Sequence, residues 1–538
     1  MKVHKLEYHW VLIYALIVML ITTVPYWIAH SHSRIEFGFS GFLFGVEDGN
    51  SYIAKMLSGA QGEWLFRTPY SAYEQKGFLA FLPYLLLGKL SSPPAQHGQL
   101  VVIFQMFRWV GGIGMIIAIY KFVSCFINTP NLRKVVVVIA SIGGGFGWLS
   151  VLGAEKLWES GLPLEFYSPE SFGFLAIYGL PHLAVAEALL LWGICCYLDR
   201  TANTPYHLNA MKGGGLWFLL GFFQPLTIVI GWTVISAHLL VSIFIHTICK
   251  TKTHEPDWKT VKKYFIRALW MIGISSPWVI YNLYSFAADE FLKGWVAQNI
   301  ILSPKPVEYL LAYGILILFL IPGILFVVRQ PSWPRNLLLG WIIIFPLLIY
   351  APYNLQRRLS VGIWVVLTII SVIIFDNKVG KPKWIIYLLY ATLLSSLVIL
   401  SAGIMLASDP SPPLFLEEKD RAAFEYLAGV STPGEVVIAS YETSNPMPAW
   451  VPVRTVIGHG PESVNLEELK QDIDIFYSSI GSDQDRKMLI EEFEVKYIIW
   501  GPHEKELGDW DPIEVDFLDL IYDQEDYQIF KVANVNEK

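Results

Sequence analysis

Two adjacent carboxylates, Glu47 and Asp48, open the stretch of this chain best suited to chemistry, Gly45-Val46-Glu47-Asp48-Gly49-Asn50-Ser51-Tyr52-Ile53-Ala54-Lys55-Met56-Leu57. Behind them Tyr52, Ile53, Met56, Leu57 and Ala60 recur at helical spacing, which predicts a helix lying along a membrane surface. Asp48 falls at its start, where free backbone N–H groups and the helix dipole favour the ionised carboxylate. Such a group can take a proton or hold a divalent cation. Spacing alone equally fits a simpler job, capping of the helix by Asp48 or Asn50.

Three other places carry reactive side chains. In Glu74-Gln75-Lys76-Gly77 a carboxylate and an ammonium stand at the edge of a short apolar segment, 77–90. Alone they read as a snorkelling lysine with a counter-ion. In Pro352-Tyr353-Asn354-Leu355-Gln356-Arg357-Arg358-Leu359 two guanidinium groups are suited to bidentate binding of a phosphate; headgroup anchoring explains them as well. His459, in Gly458-His459-Gly460-Pro461-Glu462, either faces a substrate or is a turn histidine held by a backbone bond, the commoner case.

The elements that must position these residues are mostly apolar. Of 538 residues 54% are hydrophobic and 16% charged, against roughly 25% charged in a soluble protein. Runs of the length needed to cross a bilayer recur, flanked by many of the 20 Trp, 27 Tyr and 32 Phe. They predict a polytopic α-helical membrane protein of about eleven transmembrane helices. The spans fall near 10–29, 101–126, 134–152, 172–198, 213–229, 231–249, 264–286, 308–328, 336–351, 360–375 and 384–406. Segment 77–90 is too short and is read as re-entrant or surface-lying. The first run is too long for a signal peptide and is read as a retained span.

Lys and Arg set the orientation. Segments 1–5, 128–134, 199–212, 250–263, 329–335 and 376–383 are short and mostly basic, whereas loop 153–171 holds Glu155, Glu159, Glu165 and Glu170 against Lys156. The basic segments are therefore cytoplasmic. Loop 30–98, Arg357, Arg358 and the C-terminal tail lie outside.

From Asp409 onward, 28 acidic residues face 10 basic ones, a sharp break from the basic remainder. The chain divides into a membrane body, 1–408, including loop 30–98 with its surface helices, and an external domain, 409–538, behind the proline-rich linker 409–414. Helices are expected at 417–429, 464–479 and 485–494, and strands at 435–440, 454–458, 495–500 and 527–532. These make a soluble α/β domain with a core of its own. Its lack of cysteine suits a bacterial envelope. The four cysteines, at 125, 195, 196 and 249, show neither disulfide nor zinc spacing, and no charge pattern fits nucleic acid.

In these features the chain resembles the GT-C superfamily of membrane glycosyltransferases, which includes the protein O-mannosyltransferases and the aminoarabinose transferases of lipid A. A first span, a long external loop with an early acid, a surface helix, a multi-span body and an external α/β domain all correspond. In those two branches the loop acid precedes a tyrosine by four positions, as Asp48 precedes Tyr52. Their Glu-Lys-Pro-Pro-like element is loosely echoed by Glu74-Gln75-Lys76-Gly77.

The resemblance implies transfer of a sugar from a polyprenyl-phosphate donor to a lipid, glycan or protein acceptor outside the cell membrane, with inversion. Asp48 would be the base, aided by Glu47. Arg357, Arg358 and Lys76 would meet the donor phosphate. Glu74, Glu165 and His459 would serve the acceptor or a divalent cation, magnesium or manganese, for which the sequence shows no compact ligand motif. Two other classes fit the composition: a transporter or flippase of lipid-linked sugars, and a non-catalytic receptor or assembly protein. No internal repeat supports the former, and the latter leaves the acidic loop without a job.

Overall fold

The computed structural model describes residues 5–199, 205–248, 258–376, 387, 389–524 and 526–533. Residues 1–4, 200–204, 250–257 and 377–383 of the expected basic segments, Cys249, and the start of the expected span 384–406 lie outside the described residues.

Among the described residues six helices are long and apolar enough to cross a membrane, or seven if one sharply bent pair counts as a span. The chain is a multi-pass, mainly helical membrane protein. It forms two compact units, described separately below: residues 1–24, 107–284 and 300–403 in the first, and 25–106, 285–299 and 404–538 in the second.

In the first unit several expected spans are interrupted, each by an identifiable residue. The expected span 134–152 is a 13-residue helix, Pro130–Ile142, that stops at Gly143-Gly144-Gly145. At 1.5 Å per residue it reaches only about 20 Å, short of the ~30 Å hydrocarbon core. The expected span 308–328 is two helices, Pro306–Tyr313 and Leu316–Arg329, bent by 92° at Gly314. The expected span 172–198 breaks before Pro181. The break expected near residue 230 falls at 221–225, between the helix Tyr206–Leu220 and Leu226–Ile248, which opens just after Pro225.

Two of these interruptions pack on each other. The N–H of Phe146 donates to the Leu311 carbonyl at 3.0 Å, and a side chain on Gly145 would meet the Ala312 carbonyl. Irregular backbone is tolerated at membrane depth when its polar groups find partners inside the protein.

The second unit joins first-loop residues to the C-terminal region. Strand β1 (Phe37–Phe39) pairs antiparallel with β2 (Phe415–Glu417), just past the proline-rich linker. The remaining strands are β3 (Val436–Ile438), β4 (Arg454–Thr455), β5 (Val495–Trp500), β6 (Leu518–Gln524) and β7 (Tyr527–Val532). They form one sheet in the order β4-β3-β5-β7-β6, with β4, β3 and β5 parallel and the others antiparallel.

Alternate residues of β3 and β5 bury into two cores, as a sheet covered on both faces requires. Val436 and Ile438 face the core completed by Leu469, Ile473 and Ile490 of the helices Leu466–Tyr477 and Asp483–Glu492. Val437 faces that of Phe424 and Leu427 in the helix Glu418–Val430. The first loop takes part: Ala72 enters the former core, and the N–H of Thr455 donates to the Pro69 carbonyl at 2.8 Å.

The helix Val46–Ala60 is not a surface stripe with one wet face. Residues on several sides, Asn50, Ser51, Ile53, Lys55 and Met56, are buried. It crosses the helix Leu82–Gly88 at backbone contact: a side chain on Gly59 would lie 2.0 Å from the Leu85 carbonyl oxygen, and one on Gly88 1.7 Å from that of Met56. Only glycine permits this approach. Gly59→Ala and Gly88→Ala are each expected to destabilise the second unit by about 1–3 kcal/mol. The readout is a lower midpoint of thermal unfolding in detergent, with Gly215→Ala, which has open space around it, unchanged.

Candidate active site

The helix that carries Glu47 and Asp48 begins at Gly45, which has a left-handed φ of 57° and supplies no side-chain cap. Asp48 sits in the first turn, three residues on, where the exposed N–H groups favour its charge. Asp48, Ser51 and Lys55 follow at i, i+3 and i+7, so they share one face. That face meets the turn after β4, which holds His459 and Glu462.

Serine and asparagine side chains shape this turn. Ser463 Oγ accepts the N–H groups of Gly458 at 3.0 Å and His459 at 3.2 Å. Asn445 Nδ2 donates to the Gly458 carbonyl at 2.8 Å, and its Oδ1 accepts from Asn50 Nδ2 at 2.8 Å. Tyr70 OH donates to the Asn445 carbonyl at 2.9 Å, and its ring lies 5.4 Å from that of His459. Tyr441 OH accepts the Gly460 N–H at 2.9 Å and donates to Glu47 Oε2 at 3.1 Å.

At the centre is Glu462. Its Oε1 accepts from Ser51 Oγ at 2.6 Å and pairs with Lys55 Nζ; its Oε2 accepts from Thr68 Oγ1 at 2.7 Å. His459 Nε2 donates to Asp48 Oδ1 at 3.2 Å. Its Nδ1 lies 3.4 Å from Glu462 Oε1, within ion-pair range but without hydrogen-bond alignment, so that contact is Coulombic. Lys55, Glu462, His459 and Asp48 thus alternate in sign. The first three are almost wholly buried, and Asp48 is 51% exposed.

Burial by itself would lower the His459 value. The hydrogen bond and charge of Asp48, with the charge of Glu462, outweigh it and raise His459 to about 9. Burial pushes Glu462 up, but Lys55 and His459 more than offset it and hold its carboxyl well below the usual range. At neutral pH the turn therefore carries an imidazolium beside the Glu462 carboxylate.

The other residues singled out in the sequence have different settings. Glu74 and Lys76 are exposed and make no ion pair among the described residues. Gln75 between them does structural work, bonding the Thr68 N–H, the Thr68 carbonyl and the Ser71 carbonyl.

Glu165, Arg357 and Arg358 belong to the first unit. Glu165 Oε1 accepts the N–H groups of Gly145 at 3.1 Å and Gly147 at 2.6 Å, satisfying the broken backbone there. Burial pushes its carboxyl up to about 7. The Arg357 guanidinium lies 4.8 Å from the Tyr167 ring, and Arg358 Nε lies 3.7 Å from Glu170 Oε1. The Nε atoms of both arginines are buried without a hydrogen-bond acceptor.

Ser51, Lys55 and Glu462 were not anticipated. The available signals were the polar repeat Asp48, Ser51, Lys55 beside the apolar stripe, and a carboxylate three residues after His459.

No family model matches the sequence, and a search of curated proteins found no match. Solved structures do match. The archaeal oligosaccharyltransferase AglB from Archaeoglobus fulgidus, in complex with an inhibitory peptide and a dolichol-phosphate, aligns at a TM-score of 0.55 with 12% identity, over 92% of this chain and 70% of that one. Another structure of the Archaeoglobus fulgidus enzyme, a complex with Zn and sulfate, aligns at 0.51 with 12% identity, over 90% and 67%. ArnT from Cupriavidus metallidurans bound to undecaprenyl phosphate aligns at 0.48 with 10% identity, over 96% and 97%. The fold is the one seen in these archaeal oligosaccharyltransferase structures.

The zinc in one neighbour raises the question of a metal here. Among the described residues no group of three or more His, Cys, Asp or Glu side chains could hold one, and both His459 nitrogens already face carboxylates. The residues present do not fit a metal centre.

Glu462→Gln, which leaves Lys55 without its buried counter-charge, is expected to cost about 3–5 kcal/mol of stability. The margin depends on pH. His459 is raised above its ordinary 6.5, so its contribution is full below 6.5 and is lost as pH rises through about 9. Glu462 is depressed below its ordinary 4.5, so its contribution is present above 4.5 and is lost as pH falls through the folded value. Thermal unfolding of wild type against Glu462→Gln should differ most between pH 4.5 and 6.5, and the difference should shrink toward pH 9.

Proposed function

We propose that this protein is a GT-C-type glycosyltransferase that moves a sugar from a polyprenyl-phosphate donor to an acceptor hydroxyl, with inversion and with Asp48 as base. One observation carries the reading: Asp48 is a half-exposed carboxylate in the first turn of a helix, with its Oδ1 held 3.2 Å from the Nε2 of a buried imidazole.

In the reaction Asp48 takes the acceptor proton as the acceptor oxygen bonds to the anomeric carbon. The sugar–phosphate C–O bond breaks, and the polyprenyl phosphate leaves with the electron pair. Inversion needs only this one base. The growing negative charge on the leaving phosphate calls for cations. The buried Nε atoms of Arg357 and Arg358, which lack a hydrogen-bond acceptor, support that role; Lys76 is the third cation assigned to it. Glu47, tied to Tyr441 beside Gly460, supports the acceptor side.

The AglB and ArnT structures hold dolichol-phosphate and undecaprenyl phosphate, and the first of these supports a polyprenyl-phosphate donor here. The reading includes about eleven spans, a cytoplasmic N-terminus and a C-terminal α/β domain on the far side of a cell membrane, where the acceptor is met.

Asp48→Asn keeps the shape of the side chain and removes the base. It is expected to fold, to bind undecaprenyl phosphate as wild type does, and to lose about 10²–10⁴-fold in turnover. Full turnover in this variant would end the reading, and loss in Glu47→Gln alone would shift the role by one residue. Arg357→Ala and Arg358→Ala should each weaken binding of undecaprenyl phosphate by about 1.5–3 kcal/mol. Lys should substitute poorly because it lacks the planar fork. Unchanged binding in both Ala variants would leave only headgroup anchoring for these arginines.

A further inference from the structure

Asp48 is half open to solvent, yet the group against its Oδ1 is a histidine only 4% exposed. A network built for stability alone gains little from such a member, because an exposed ion pair contributes about 0–1 kcal/mol. We propose that His459 is a positioning residue for Asp48: braced by Glu462, its imidazole fixes the orientation of the Asp48 carboxylate, so that the turn 459–463 completes the catalytic centre. This rests on the assignment of Asp48 as base.

The ring has little freedom. Its backbone is tied at both ends, through Ser463 Oγ and through the His459 carbonyl, which accepts the N–H groups of Glu462 and Ser463 at 2.9 Å each. Glu462 is itself held by Ser51, Thr68 and Lys55.

The titratable groups around His459 come from every element packed on it. Asp48 and Lys55 belong to the helix 46–60, with Lys55 acting through Glu462. Tyr70 comes from the first loop and Glu462 from the turn itself. Tyr441 follows β3, with Glu47 beyond it. Among the described residues only Asp48 and Glu462 lie within ion-pair range of the ring. A carboxylate gripped at one oxygen by a rigid donor cannot turn away from an incoming hydroxyl. Such fixed geometry, rather than contact with substrate, is how a neighbouring group aids a base.

Two measurements on the full-length protein in detergent need no substrate. Carbodiimide coupling of Asp48, followed by mass spectrometry across pH, reads the protonation of its carboxyl. In His459→Gln its midpoint should move up by about one pH unit or more, since an adjacent cation is lost. Deuterium exchange at the imidazole C2 position reads His459 in unmutated surroundings, and its midpoint should fall by about one unit or more in Asp48→Asn. This second measurement serves if His459→Gln does not fold.

With an undecaprenyl-phosphate sugar that wild type turns over, His459→Gln should lose about ten- to a hundredfold in kcat. Its donor KM should stay within about twofold, as for an interaction made only in the transition state. Unmoved midpoints in both titrations would overturn the inference even with Asp48 established as base. Full turnover in Asp48→Asn would instead remove the assignment on which it rests.

Discussion

The buried carboxylate of Glu462 is the constraint on which the second unit depends. A charge removed from water is costly unless every oxygen finds a partner. Here Ser51, Lys55, Thr68 and His459 supply them. Lys55 and Glu462 are 407 positions apart, so the pair can form only when the first loop and the C-terminal region fold onto one another. Helix 46–60 is thereby located from two sides, by glycine-mediated contact with Leu82–Gly88 and by charge with the turn at 459–462.

That location has a chemical consequence. A helix N-terminus lowers the cost of an ionised acid in its first turn, but it does not aim the acid. Aiming comes from the imidazolium of His459, whose own position follows from the Asn445 and Ser463 bonds that shape its turn. Glu47, one residue earlier, turns toward Tyr441 instead. Neighbours in sequence thus face different partners, because successive helical residues point about 100° apart.

The first unit solves a different problem with similar means. Breaks at Gly143–Gly145 and at Gly314 free backbone groups that a membrane cannot satisfy. Packing one break on the other and placing Glu165 against the N–H groups of Gly145 and Gly147 satisfies them internally. A side chain noticed for its charge therefore has a structural duty. Arg357 and Arg358 keep buried Nε atoms without hydrogen-bond acceptors, that of Arg358 lying 3.7 Å from Glu170.

What the sequence by itself determined was whatever local physics decides. Apolar length marked the membrane helices, the charge shift at Asp409 marked the acidic C-terminal region, and β5 and β7 fell where β-branched and aromatic residues cluster. Asp48 and His459 were both visible, as an acid at a helix start and a histidine in a glycine turn. Strand β6 was not: Asp519 and Asp523 interrupt its apolar pattern, and only pairing with β7 makes it a strand. The helix breaks were under-read because glycine runs and prolines are also tolerated within spans. The tertiary structure alone decided that Asp48 faces His459, that Ser51 and Lys55 share its face, and that Glu462 joins them. Charges more than 400 positions apart leave no trace of pairing in local spacing, and burial, which gives the pairing its strength, exists only in the folded chain.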